Sequence, residues 1–213
     1  MKIQLGDTLR ISPQYTSRRW QKLDLNNPED WSKAAEIVRD RLEGRFLRFA
    51  SEWLRVRDSG FVVLAIDCLL AETIQQFRDG IIRDEGIGKS KELITKFLEG
   101  RQFQPDFDST ARTAFFEDIR CGLLHQAEAR KMWLIRRRQP GMLGAVGGGK
   151  GYIIDVERFH AALKDSLDEY VQLISQPDSS QLRSSLWRKM NDICNVREAR
   201  GAVYEPEPPC PNQ

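Results

Sequence analysis

The segment Gly60-Phe61-Val62-Val63-Leu64-Ala65-Ile66 constrains the fold more than any other part of the chain. A helix that is apolar over most of its circumference has no face to give to water, so it must lie inside other elements. With Asp58-Ser59 as its cap, this helix is expected to run from Phe61 to about Arg78 and to form the centre of a bundle. The flanking sequence supplies the covering helices. Asn27-Pro28-Glu29-Asp30 is a helix start, with Asn as cap and Pro in the first helical position. From there to about Val56, the residues Trp31, Ala35, Val38, Leu42, Phe46, Phe49 and Trp53 recur every three or four positions and predict one buried stripe. Gly86-Ile87-Gly88 is a break before a short helix at about 89–98. Asp108-Ser109 caps a helix at about 110–129, Asp155 caps one to about Ile174, and a last helix spans about 179–197.

One region departs from the helical pattern. Residues 132–137 and 151–154 read as strands, and the loop from Gln139 to Lys150 contains five glycines. The expected fold class is therefore mainly α, a helical bundle with one inserted β-hairpin at about 132–154 and a mobile tip. Residues 1–27 are expected to form an irregular arm, 28–200 a single helical domain, and 201–213, with four prolines after Glu205, a disordered tail. At 213 residues the chain is long enough for one well-buried domain. The four cysteines form no CxxC pair, so no zinc site is expected. The first ten residues lack an apolar segment, and no window reaches the roughly 18 apolar residues of a membrane span. A reducing, cytoplasmic setting without a membrane partner follows as an expectation.

Chemistry-bearing residues concentrate in Ala114-Phe115-Phe116-Glu117-Asp118-Ile119-Arg120-Cys121-Gly122-Leu123-Leu124-His125. Arginine grips a phosphate through two parallel N–H groups, and histidine has the free pKa suited to proton transfer near neutral pH. Five residues on a helix correspond to about 140° of rotation, so Arg120 and His125 do not share a face. Arginine's reach, a kink at Gly122 or a second subunit must close the gap. The bland reading is a histidine near a helix end and an arginine paired with Asp118 or Glu117. Between Ala129 and Gly151 lie six cations, Arg130, Lys131, Arg136, Arg137, Arg138 and Lys150, and no acid. Such a run suits RNA binding; it equally suits a solvated strand edge protected from pairing. Net charge, +2, is too small to mark a nucleic-acid binder by itself.

The run Arg-Cys-Gly-Leu-Leu-His resembles the R-x4–6-H motif of the HEPN superfamily, and the helix from Gly60 to Thr73 resembles its partner helix in bacterial HEPN-like proteins. The resemblance covers about residues 30–175. It implies a helical bundle that dimerises and brings two motifs into one cleft. Many members are metal-independent endoribonucleases of toxin–antitoxin, CRISPR and anti-phage systems; others bind nucleotides or partner proteins without catalysis. The implied catalytic residues are Arg120 and His125, and the implied partners are RNA, a second copy and an antitoxin or defence-system protein. The implied products are 2′,3′-cyclic phosphate and 5′-OH ends, with no cofactor. The family often has Asn, Asp or His directly after the arginine; here the residue is Cys121.

Glu72, an acid in an otherwise apolar helix, is a candidate to orient His125 or pair with Arg120; Asp67 is a similar case. Gly144 to Lys150 formally fits part of a phosphate-binding loop, but Gly151 replaces the required Ser or Thr and a strand follows instead of a helix. His160 has no set of neighbouring ligands in the sequence, so no metal role is expected for it.

Overall fold

The computed structural model describes residues 9–24, 26–148 and 151–194. It is mainly helical with a small β insertion. The short helix α1 (Ser17–Gln21) follows a bridge between Arg10 and Thr16. Next comes α2 (Pro28–Leu42), which starts where Asn27 accepts a hydrogen bond from the Glu29 N–H at 3.1 Å. A π turn (Glu43–Leu47) joins α2 to α3 (Arg48–Trp53). The central helix α4 (Gly60–Asp79) and the shorter α5 (Ser90–Phe97) follow. The motif segment consists of α6 (Ser109–Ala114), a second π turn (Phe115–Arg120) and α7 (Cys121–Gln126). Strands β1 (Trp133–Arg136), β2 (Leu143–Val146) and β3 (Gly151–Asp155) precede α8 (Val156–Ser175) and α9 (Ser180–Cys194).

The first π turn changes which residues are buried. Up to Leu42 the expected stripe holds, with Trp31, Ala35 and Val38 inside. A π turn closes i→i+5 hydrogen bonds and takes up one more residue than an α turn. Beyond it Leu47 and Ala50 are buried, while Phe49 and Trp53 are 41% and 48% exposed. The stripe expected through Phe46, Phe49 and Trp53 is thus displaced by one residue.

α4 packs against α5, α8 and α9, and its inward residues Leu64, Cys68, Ala71 and Ile74 are fully buried. Phe61 and Leu69 stay partly exposed, so the helix is central on one side only. By composition α4 does reach the length and apolar character of a membrane span, with a mean hydropathy of 1.4, and half of that window is buried inside the protein. Ser59 does not cap α4 as expected. Its hydroxyl turns back to the carbonyls of Trp53 (2.6 Å) and Val56 (3.0 Å). Asp108 and Asp155 do cap α6 and α8, accepting from the N–H groups of Ala111 and Arg158. Beside α4 lies an aromatic layer in which Phe159 stacks on Phe115 at 5.1 Å and Phe103, Phe107 and Trp133 pack around the pair.

The expected hairpin between residues 132–137 and 151–154 is not the pairing found. β3 is the middle strand; β1 runs parallel to it, with Trp133 opposite Tyr152, and β2 runs antiparallel, with Leu143 opposite Ile154. The hairpin is β2–β3. Gly147 and Gly148 adopt φ of +57° and +70°, a region open to glycine, and turn the chain between those strands. β2 lies inside the glycine-rich stretch. Its Gly144 and Ala145 carry little strand propensity, which hid it in the sequence.

Within the expected N-terminal arm, residues 9–24 pack closely on the bundle. Ile11 and Trp20 are buried, and the Trp20 ring packs at a tilt of 32° on Trp187, with centroids 5.1 Å apart, while its indole N–H donates to Asn191 Oδ1 at 3.0 Å. The tail at 201–213 lies outside the described residues.

Candidate functional site

The second π turn ends on Arg120 and directs its side chain between α4 and α5. One guanidinium nitrogen, Nη2, donates to Glu72 Oε2 at 2.9 Å and to Ser90 Oγ at 3.0 Å. Ser90 in turn donates to Glu72 Oε1 at 2.8 Å. The three side chains form a closed ring of hydrogen bonds, in which the arginine and glutamate side chains are each 16% exposed. The guanidinium lies 5.8 Å from the Phe116 ring centre. Among the described residues, Arg120 Nε is buried without a hydrogen-bond partner. The arginine is therefore held at one nitrogen and retains donor capacity elsewhere, an arrangement able to receive an anionic oxygen.

The pairing of Glu72 with Arg120 is one of the two alternatives open from sequence; the orienting of His125 by Glu72 is not found. His125 sits in the last turn of α7, exposed, with no hydrogen-bond or ion-pair partner among the described residues. The two motif residues thus face different surroundings, as their angular separation predicts. Helix α7 is continuous through Gly122. Gly122 admits the returning chain: a Cβ there would lie 2.3 Å from the Glu128 carbonyl oxygen. Ala127 turns the chain with φ +55°, and the Arg130 N–H then donates to Asp118 O at 2.9 Å.

The cationic run separates into groups with different surroundings. Arg130 donates to Gln126 Oε1, and Lys131 pairs with the buried Asp118 at 3.2 Å, so both sit against the motif helix. Nearby, Lys91 hydrogen bonds to Glu117 and holds that carboxyl below its ordinary pKa. Arg137 turns inward and donates to Leu54 O at 2.5 Å, Val56 O at 3.0 Å and Ser59 Oγ at 2.7 Å. Arg136 and Arg138 are exposed. Lys150 lies outside the described residues.

Asp67 belongs to a different cluster from Glu72. It is fully buried and lies 2.9 Å from His160 Nδ1, whose Nε2 is 2.8 Å from Ser51 Oγ. This order of side chains matches that of a serine hydrolase triad. However, the Ser51 hydroxyl also bonds Leu47 O one turn back at 2.9 Å, and His160 is 4% exposed. The chain acts as a polar tie joining α3, α8 and α4. Burial raises the Asp67 pKa, and the hydrogen bond with His160 opposes that rise. Neither Ser90 nor the Asp67–His160 pairing is marked in the sequence, because each contact joins residues far apart along the chain with no motif around them. Among the described residues, no group of three or more His, Cys, Asp and Glu is placed to hold a metal ion.

Comparison with protein-family models, curated proteins and solved structures finds no match for this chain.

Proposed function

We propose that the protein is a metal-independent endoribonuclease of HEPN type, acting as a homodimer in the cytoplasm in a toxin–antitoxin or anti-phage setting. The observation that carries this reading is Arg120. It is anchored by Glu72 and Ser90, on the same short segment that ends in an exposed His125, and among the described residues neither its buried Nε nor His125 has a partner. In the proposed reaction the ribose 2′-OH attacks the adjacent phosphorus and the 5′-oxygen leaves. His125 moves the proton, and Arg120 balances charge on the phosphorane. Because His125 and Arg120 of one chain look apart, the cleft takes His125 of one copy and Arg120 of the other. Leu69, one turn from Glu72, and Leu124, one turn from Arg120, are 40% and 44% exposed and offer the apolar contact for that second copy.

A second reading, a non-catalytic HEPN module that binds a nucleotide or partner protein, draws on the same ion pair, since Glu72 already neutralises Arg120. Incubation of the purified protein with RNA in EDTA separates the two. Cleavage yielding 2′,3′-cyclic phosphate ends, abolished in both Arg120→Ala and His125→Ala, is expected of the nuclease. No cleavage by a dimeric wild-type protein favours the module, and a strict monomer at micromolar concentration removes the shared cleft.

A further inference from the structure

Phe49 and Trp53 have the spacing of core residues, yet the first π turn leaves both at the surface. Four residues apart on α3, they lie within about 40° of each other around the helix. The helical turn continues past α3, with Leu54 N–H donating to Ala50 O at 3.1 Å and Val56 N–H to Trp53 O at 2.9 Å. Val56, 57% exposed, therefore falls on the same side. The Ser59 hydroxyl bonds the carbonyls of Trp53 and Val56, and Arg137 clamps this turn from beyond β1. Phe61, 46% exposed, opens α4 next to the turn and lines a cavity of about 420 Å³ with Arg57 and Arg136.

Arginines surround these apolar side chains. Arg48 lies over the Phe49 ring, 4.6 Å from its centre. Arg55 and Arg57 are exposed in the turn. The Arg136 guanidinium bonds only the carbonyl of its neighbour Ile135 among the described residues. The acids along 48–58 are Glu52 and Asp58, and Asp58 already sits 3.5 Å from Arg57 Nε. Exposed rings and a branched apolar side chain, ringed by cations on long apolar stems, suit the boundary of a bilayer, where the rings enter and the guanidinium groups meet anionic phosphates. Two other occupants fit less well. A second copy packed on this face would bring the arginines of both copies together. A single-stranded RNA stacks its bases on open ring faces, but Arg48 covers one face of Phe49 and Val56 offers no ring.

We propose that the corner between α3 and α4 is a docking surface for an anionic phospholipid bilayer, with Phe49, Trp53 and Val56 at the headgroup boundary and Arg55 and Arg57 on lipid phosphates. The expectation of no membrane partner rests on spanning segments, which a peripheral contact does not use. The side of α4 that carries Leu64, Cys68 and Ile74 stays buried in the bundle. From Phe61 to Glu72 is about 16 Å along α4, so the surface is separate from the Arg120 cluster and does not rest on chemistry there.

Cosedimentation of the full chain with vesicles of phosphatidylcholine alone, and of an equimolar mixture with phosphatidylserine, tests the assignment. Binding to the mixed vesicles is expected to be at least about tenfold tighter and to fall as salt rises. Trp53→Ser, and Arg55→Glu combined with Arg57→Glu, should each weaken it about tenfold, all three positions being exposed. Ile87→Ser, at an exposed apolar residue beyond the other end of α4, should leave it unchanged. Lipids brominated in the acyl chains give a second readout. Of the five tryptophans, Trp20, Trp31 and Trp133 are buried and Trp187 is half-buried, so fluorescence quenching is expected in wild type and lost in Trp53→Phe. The proposal is overturned if mixed vesicles bind no more tightly than phosphatidylcholine, or if quenching survives in Trp53→Phe. It also fails if Trp53→Ser binds the mixed vesicles as well as wild type while circular dichroism shows an intact fold. Should wild type ignore vesicles and Trp53→Ser instead lower the oligomeric state in light scattering, or weaken binding to single-stranded RNA, the face belongs to a second copy or to RNA and the proposal is wrong.

Discussion

Replacing Gly122 with alanine tests how the His125 end of the motif is held. The added Cβ would stand 2.3 Å from the Glu128 carbonyl oxygen and 3.3 Å from the Arg130 nitrogen. Both are main-chain atoms, so no side-chain rotation relieves the overlap. The return segment must lift away, which removes the hydrogen bonds from Arg130 N–H to Asp118 O (2.9 Å) and from Glu128 N–H to Gly122 O (3.4 Å). Each bond is worth about 0.5–1.5 kcal/mol and overpacking costs about 1–3 kcal/mol, offset by about 1 kcal/mol of alanine's helix preference. A net loss of about 1–5 kcal/mol follows, or a fall in Tm of about 2–20 °C for a domain of this size. Thermal and urea unfolding followed by circular dichroism read it directly. Gly144→Ala is the control: its Cβ would meet only Ile153 Cβ at 4.0 Å, so its change should stay within about 0.5 kcal/mol. If Gly122→Ala unfolds no more readily than Gly144→Ala, the close approach does not hold this segment.

Arg137→Lys should lose about 1–3 kcal/mol of stability, because an ammonium cannot reach Leu54 O, Val56 O and Ser59 Oγ together; an unchanged urea midpoint would contradict this. If RNA binds along β1, Arg136→Ala and Arg138→Ala should each flatten the salt dependence of affinity in filter-binding titrations, by about one unit of slope for every phosphate left without its cation. Burial pushes the Cys68 thiol well above its usual pKa, so mass spectrometry after native alkylation at neutral pH should find Cys68 unmodified and the half-buried Cys121 labelled. The Tyr15 hydroxyl donates to Glu36 Oε1 at 2.6 Å, and that bond raises its pKa to about 12. A raised folded-state value adds stability below the unfolded value of 10.0 and loses it as pH rises through the folded one. The advantage of wild type over Tyr15→Phe in urea unfolding should therefore be constant below about pH 10 and vanish between pH 10 and 12.

Local signals in the sequence transfer well where the structure is local. Asn27, Asp108 and Asp155 cap their helices because each cap needs only a side chain and the next turn. Ser59 fails as a cap because distant Arg137 and the end of α3 claim its hydroxyl. The acid in the apolar helix, Glu72, is readable as a partner for Arg120, since an unpaired carboxylate facing the core would be costly. Ser90, the third member of that ring, comes from a separate helix whose placement no periodicity encodes. The pairing of β1 with β3 is hidden for the same reason: adjacent strand-like runs suggest a hairpin, and only the low-propensity β2 between them makes the neighbours parallel.

The two π turns, at Glu43–Leu47 and Phe115–Arg120, each hold a residue that a regular helix would not need. Each turn takes up that residue without ending the helix. Deleting one residue from the first would let α2 and α3 run on as one regular helix, with every later side chain keeping its present direction. Leu47 and Ala50 would still face the core, Phe49 and Trp53 would stay at the surface, and Ser51 would keep His160. Single-residue deletions at 43–47 and at 115–119 should therefore be tolerated better than deletions elsewhere in the same helices, where the loss of one residue turns everything beyond it by about 100°.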